Sequence, residues 1–283
     1  MSESTHDNTS SNINSNDHSG GHSPEDGLVE MLDLDALTLG SYLDQATEWA
    51  ASLSPANPGT IIDVGAGSGA GTLALARRFP GTTIVALDKS PSMLAATLKA
   101  AADHGLAGRV TATEADLDQA WPTLAPADLL WASSSLHEVA DPGHTMREMF
   151  SGLVHGGLLV VVEMDALPTF LPPGAMPGLE ARLHRALADQ GWNHHPDWTQ
   201  GLVEAGFTVQ QRAFPTIGHS TPELTARYAR TFLGRIRTAL AGIASPADLA
   251  SLEVLLADGS ESLERRGGLE VQCSRTAWAA RKP

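Results

Sequence analysis

The stretch Thr60-Ile61-Ile62-Asp63-Val64-Gly65-Ala66-Gly67-Ser68-Gly69-Ala70-Gly71 constrains the chain more than any other. Ile61, Ile62 and Val64 are strand formers, and Asp63 stands near the carboxyl end of their run. Gly65, Gly67 and Gly69 follow at alternate positions. Glycine reaches positive φ cheaply and has no Cβ, so a ligand can lie directly on the backbone. From Thr72 to Phe79 the spacing is helical, with Leu73, Leu75, Ala76 and Phe79 available for packing. A strand, a loop of bare amides and a helix N-terminus together make a nucleotide pocket in an open α/β sheet. Gly65-x-Gly67-x-x-Ala70 also satisfies the dinucleotide fingerprint loosely, which keeps an NAD(P)-dependent oxidoreductase as an alternative.

Four further segments extend this pattern. Thr82 to Leu87 reads as a second strand ending in Asp88-Lys89, with Ser90-Pro91 as cap and first helical residue. Asp88 lies roughly 20 residues past the glycine loop, where a Rossmann-like site carries its ribose-binding acid; a solvated strand-end acid is the bland alternative. Val110 to Asp118 is a short strand with an acidic turn, in which Asp116 is alternatively a helix cap. Asp128 to Ala132 is a fourth strand, followed by Ser133-Ser134-Ser135, Leu136-His137-Glu138 and an Asp141-Pro142 turn. The segments 156–163, 202–209 and 268–281 supply strands five to seven, the fifth opening on a Gly156-Gly157 turn.

The string apolar-apolar-Asp-apolar-Gly-x-Gly-x-Gly, with the acids at 88 and 116 that follow it, resembles the class I S-adenosylmethionine-dependent methyltransferases of the small-molecule type. The resemblance covers residues 60–165 most closely and 202–283 more loosely. It implies an α/β, Rossmann-like fold: a seven-stranded, mostly parallel sheet with helices on both faces, N-terminal helices and a helical insertion forming a lid. It implies S-adenosyl-L-methionine as cofactor, with Gly65, Ala66, Gly67, Gly69, Lys89 and Ser133 around it. Asp88 would take the ribose hydroxyls, Asp116 the adenine amino group, the Leu117 amide the adenine ring, and Met93 a face of that ring. Asp63 would bond loop amides or the cofactor's ammonium. Tyr42 would donate to its carboxylate, although core packing explains Tyr42 as well. Asp118 is a rival for the role of Asp116.

The chemistry that follows is transfer of a methyl group to O, N, S or C of a small molecule by in-line displacement. Where the acceptor carries a proton, a base helps. His137 is the first candidate, because it follows the fourth strand and titrates near neutrality. Glu138 is the second; it stands where similar enzymes often carry a second histidine. Both residues alternatively only cap or pair locally. A non-catalytic S-adenosylmethionine-binding protein is a further alternative.

Composition limits the partners. The chain has 283 residues, 42% of them hydrophobic, enough for one large α/β domain. Its formal net charge is −15, and it has no basic run, so neither nucleic acid nor an anionic membrane is an expected partner. No apolar run approaches the roughly 20 residues of a membrane span, and the N-terminus does not read as a signal peptide. Cys273 is the single cysteine, so a cytoplasmic protein is expected.

Residues 1–27 are polar and read as a disordered tail whose His6, His18 and His22 have no metal-site spacing. Residues 28–58 form a helical cap, with an apolar stripe of Leu34, Leu37, Tyr42, Leu43, Ala46, Trp49, Ala50 and Leu53. Residues 60–165 are the cofactor-binding core. Residues 166–200 and 221–264 are helical segments expected to cover the acceptor, with a homodimer surface as the alternative for the second. His194-His195-Pro196-Asp197-Trp198 reads as a helix entry rather than a metal site.

Overall fold

The computed structural model describes residues 24–55, 57–191, 197–217 and 220–283. Their strands are β1 (Thr60–Val64), β2 (Thr83–Asp88), β3 (Val110–Glu114), β4 (Ala127–Ser133), β5 (Leu153–Met164), β6 (Thr208–Ile217) and β7 (Gln272–Arg281). They form one seven-stranded sheet in the order β3-β2-β1-β4-β5-β7-β6. Only β7 runs against the others, between β5 and β6. The order reverses between β1 and β4, and in open α/β sheets a ligand binds beyond the carboxyl ends of the strands at such a switch point.

The strands read as continuous apolar runs because both faces are covered. One face carries Ile61, Leu129, Trp131, Val160 and Val162. It packs on α2 (Ser41–Leu53) and α3 (Ala70–Arg78) through Ala46, Ala50 and Leu75. The other face carries Ile62, Val64, Leu130, Ala132, Leu159 and Val161, under Met146 and Met149 of α5 (Pro142–Ser151) and Leu202 of α7 (Thr199–Glu204). On the β2 side, α4 (Pro91–Asp103) is capped by Ser90, whose hydroxyl accepts from the Met93 amide. Past β5 and β6 the chain adds α6 (Leu179–Asp189), α8 (Pro222–Ala239) and α9 (Pro246–Leu256). Thr221 and Ser245 cap the last two, each followed by proline in the first turn.

Several expectations are corrected. Helix α1 (Pro24–Leu39) begins inside the proposed tail, so the boundary at 27 falls too late. Proline suits a first helical turn. Leu37 does not join the cap's apolar stripe but is 67% exposed. Helix α1 ends at Leu39, and Gly40, where a Cβ would stand 2.1 Å from the Ala36 carbonyl oxygen, joins it to α2. Strand β5 runs through Gly156-Gly157 instead of starting after them. Ala127 pairs with Leu153 and Leu129 with Leu158, so a bulge absorbs the extra residues. Residues 197–200 belong to the second face of the sheet, not to a lid segment ending at 200: Trp198 is buried there, and Asp197 accepts from Thr199 and from the Trp278 indole. His6, His18, His22, His194, His195 and Pro196 lie outside the described residues.

One buried ion pair ties the cap to the sheet. Arg275 on β7 is 1% exposed and donates to both carboxylate oxygens of Asp35 on α1, at 2.8 and 3.0 Å. Tyr228 on α8 donates to the same carboxylate at 2.7 Å, and the guanidinium lies 4.0 Å from the centre of the Tyr42 ring. Removing one partner of such a pair strands the other charge. Asp35→Ala is therefore expected to cost about 3–5 kcal/mol in urea unfolding. A loss below about 1 kcal/mol, typical of an exposed pair, would contradict this account.

Candidate active site

The carboxyl ends of β1, β2, β4 and β5 open into a cavity of about 800 Å³, within the range of small-molecule sites. Tyr42, Asp63, Gly65, Ala66, Gly67, Asp88, Lys89, Met93, Asp116, Leu117, Ser133, His137 and Glu138 all line it. Of the sequence-predicted site residues only Gly69 does not. Gly69 precedes α3 with φ +98°, and a Cβ there would stand 3.0 Å from Thr97. Its role is close helix packing, not ligand contact. Gly65 also answers to the protein, since a Cβ would reach 2.4 Å from Ser135. Gly67 is the position that fits the ligand argument. Its φ is +55°, and a Cβ would meet only Leu32 of α1, at 3.4 Å, across the cavity.

Asp88 locks the loop. One carboxylate oxygen accepts from the Gly67 amide and the other from the Ser90 amide, both at 2.9 Å. Each oxygen keeps a lone pair, so the carboxylate can still take two ribose hydroxyls. The Ala115 amide bonds the Asp88 carbonyl at 3.0 Å, bringing the acidic turn alongside. Asp116 accepts from the Asp118 amide through one oxygen, and the Leu117 amide has no partner among the described residues. A carboxylate and a free amide side by side match the amino group and ring nitrogen of an adenine edge. Asp118 also lines the cavity and accepts from the Ala140 amide through one oxygen. Met93 is buried in the same wall.

Asp63 bonds neither a loop amide nor a charge. It accepts from the Thr72 hydroxyl on α3 at 2.6 Å. Burial raises its pKa to about 7, against the Thr72 bond that lowers it, with the Asp88 charge raising it further. The Trp131 indole N–H nearby is buried and unpartnered. Tyr42 packs in the core and also lines the cavity, with its hydroxyl bonded to Ser133. Burial raises its pKa.

His137 is the main departure. It sits in a short 3-10 turn after Ser134, whose φ of +52° is strained for a non-glycine residue. Its Nδ1 lies 2.8 Å from Glu163 and its Nε2 3.2 Å from Glu138. Glu163 ends β5, is nearly fully buried, and also accepts the Leu136 amide at 3.0 Å. Burial lowers the His137 pKa, but the bonds to Glu138 and Glu163 and their charges outweigh it and raise the value to about 10. At neutral pH both ring nitrogens therefore donate, and His137 is an imidazolium rather than a base. Glu138 is held below its usual range by the bond to His137, with burial opposing and the Lys89 charge assisting. Its side chain is 69% exposed, so the buried bond to Glu163 is the durable one.

Sequence reasoning missed Glu163, which looked like the end of an apolar strand. The cap at 28–58 and the helical segments at 166–200 and 221–264 were expected to cover the pocket, but not which of their residues face in: Leu32, Asp35 and Ala36 of α1, Leu187 of α6, and Phe232, Arg235 and Ile236 of α8 line the cavity.

A parallel sheet in this order, with an anchored glycine loop and two acids beyond it, defines a Rossmann-like nucleotide-binding domain. Residues 62–159 match the family profile described as "Methyltransferase domain". Residues 62–159 thus match a methyltransferase domain, and the sheet around them, with its antiparallel β7, is the Rossmann-like sheet expected for one. Trans-aconitate 2-methyltransferase of Yersinia pseudotuberculosis serotype O:1b (strain IP 31758) is 33% identical over 163 residues, 58% of this chain and 55% of the relative. The enzyme of that name from Acidovorax sp. (strain JS42) is 37% identical over 122 residues, 43% of this chain and 45% of its own. The chain thus matches about half the length of these curated relatives. Among solved structures, a candidate methyltransferase from Bacillus halodurans C-125 superposes with a TM-score of 0.56 at 20% identity, over 86% of this chain and 99% of that one. A Haemonchus contortus phosphoethanolamine N-methyltransferase 2 with S-adenosyl-L-methionine gives 0.53 at 16%, over 93% and 61%. Both structural likenesses establish the fold.

The state of His137 can be checked directly. Its raised pKa means that folding takes up a proton between about pH 6.5 and 10. Its contribution to stability is complete below the unfolded value and is lost as pH rises through the folded one. NMR of the ring should show no titration from pH 6 to 8.5 in the native protein. Glu163→Gln should bring the midpoint down toward the ordinary histidine value; a wild-type midpoint near 6.5 would sink this reading.

Proposed function

We propose that the chain is an S-adenosylmethionine-dependent methyltransferase whose acceptor is a small organic acid, methylated on a carboxylate oxygen. The observation that carries this is the double engagement of His137, 2.8 Å from Glu163 and 3.2 Å from Glu138. A phenol, alcohol or ammonium acceptor must lose a proton and needs a base. A carboxylate is already ionised at neutral pH. The name of the Yersinia relative, a trans-aconitate 2-methyltransferase, points the same way.

S-adenosylmethionine, when bound, supplies a methyl group on a positively charged sulfur. The loop at Gly65–Gly67 and the acids Asp88 and Asp116 hold the nucleoside end. Asp63 and Tyr42 border the space left for the amino-acid end. Asp63, with a pKa near 7 in the free protein, ionises more readily when an ammonium lies beside it. The chemistry such a donor would supply is transfer of that methyl group to the acceptor's carboxylate oxygen, sulfur leaving with the electron pair of the carbon–sulfur bond. The protein's work is alignment and exclusion of water. His137, as a cation on the wall, favours a carboxylate nearby. The insertion at 221–264 serves as a roof over the acceptor; Phe232 and Ile236 support this over a dimer face. No helix among the described residues is long and apolar enough to cross a membrane, and the lone Cys273 agrees with a cytoplasmic enzyme.

The test is transfer of a labelled methyl group to a panel of small acids, phenols and amines, including trans-aconitate. We expect an alkali-labile ester, with kcat at saturating cofactor flat between about pH 6.5 and 9, because neither acceptor nor His137 titrates there. Transfer to phenols or amines alone, with a rate rising through neutral pH, would overturn the reading. Independently, Asp88→Ala should weaken S-adenosylhomocysteine binding by about 1.5–3 kcal/mol, the value of lost charge-assisted bonds. Unchanged calorimetric affinity would misplace the ribose.

A further inference from the structure

The roof of the cavity differs in chemistry from its floor. The floor is the row of strand ends, rich in amides and carboxylates. The roof is largely apolar, with Leu167, Leu187, Phe232 and Ile236 facing in. Arg235 on α8 breaks it. This residue lines the cavity, is partly buried, and makes no hydrogen bond or ion pair among the described residues. Its neighbours along the helix are committed elsewhere: Arg227 to Glu30, Arg230 to Glu264, Arg237 to Glu253.

The acids of the cavity show the opposite pattern. Asp35 is held by Arg275 and Tyr228, Asp63 by Thr72, and Asp88 by two amides. Asp116 and Asp118 each accept an amide, and Glu138 is paired with His137. Every carboxylate in the wall thus has a donor within the protein, while the guanidinium in the roof has no acceptor. A guanidinium forks onto a carboxylate through two parallel bonds and is weakly hydrated, so it suits an apolar wall. The chain's net charge of −15 repels a polyanion unless a local cation compensates.

We propose that Arg235 anchors a second carboxylate of the acceptor, remote from the one that is methylated, and so selects di- and tricarboxylic acids over monoacids. This rests on the reading of the acceptor as an organic acid. The apolar residues of the roof, Leu167, Leu187, Phe232 and Ile236, take the carbon skeleton.

The experiment separates the anchor from the reaction. Protein loaded with S-adenosylhomocysteine is titrated calorimetrically with propane-1,2,3-tricarboxylate and with the isosteric, uncharged propane-1,2,3-tricarboxamide. The wild type is expected to bind the triacid and not the triamide. Arg235→Gln should weaken triacid binding about ten- to a hundredfold, the range of a lost charge-assisted bond. Arg235→Lys should recover part of it, and unchanged S-adenosylhomocysteine affinity in both variants shows that the fold is kept. Triacid binding absent in the wild type, or equally tight in Arg235→Gln, overturns the anchor. If Arg235-dependent binding is present but no acid is methylated, the anchor stands and the proposed reaction falls.

Discussion

The Asp88 carboxylate organises the cofactor half of the molecule. By accepting the Gly67 and Ser90 amides at 2.9 Å each, it joins the end of β1 to the end of β2 and fixes the start of α4. The backbone repeats the connection: the Gly65 and Ala66 amides both reach the Leu87 carbonyl at 2.8 Å, and Ala115 reaches Asp88. Three strand ends are thereby held in one rigid rim before any ligand arrives. A rim of this kind orders no backbone on binding, so the cost of association falls on the ligand and on whatever covers it.

Much of this rim was legible in the sequence because its signals are local. Gly65-x-Gly67 after an apolar run, and an acid after the next run, declare themselves within a dozen residues. The exceptions are also physical. Gly69 resembled a ligand glycine, yet its missing Cβ makes room for Thr97, a contact made across two helices. Leu37 counted as part of the cap's stripe at three residues past Leu34, but the buried rows run through Leu34, Thr38 and Tyr42 and leave it outside. His137 was legible as a site residue but not in its role, because Glu163 lies 26 positions away on another strand. A partner at that distance, buried at the end of a hydrophobic strand, leaves no periodicity to read. The helices that carry Leu187, Phe232 and Arg235 were expected as a cover, and only the tertiary structure shows which of their side chains line the cavity.

The charge balance of the cavity follows from the same division. The floor inherits its carboxylates from strand ends, where they are useful because amides and a hydroxyl surround them. The cations come from both floor and roof: Lys89 directly after β2 and His137 in the turn after β4 belong to the strand ends, and Arg235 comes from the added helix α8. Variation in the added helices can therefore change the acceptor without disturbing the rim that holds the nucleotide, as expected where a common fold hosts many substrates.

Helix α1 borders the cavity through Leu32, Asp35 and Ala36, and a Cβ on Gly67 would stand 3.4 Å from Leu32. Asp35, on that same helix, is fastened to Arg275 in the sheet. Whatever loosens this pair therefore shifts a wall of the cavity as well as the cap.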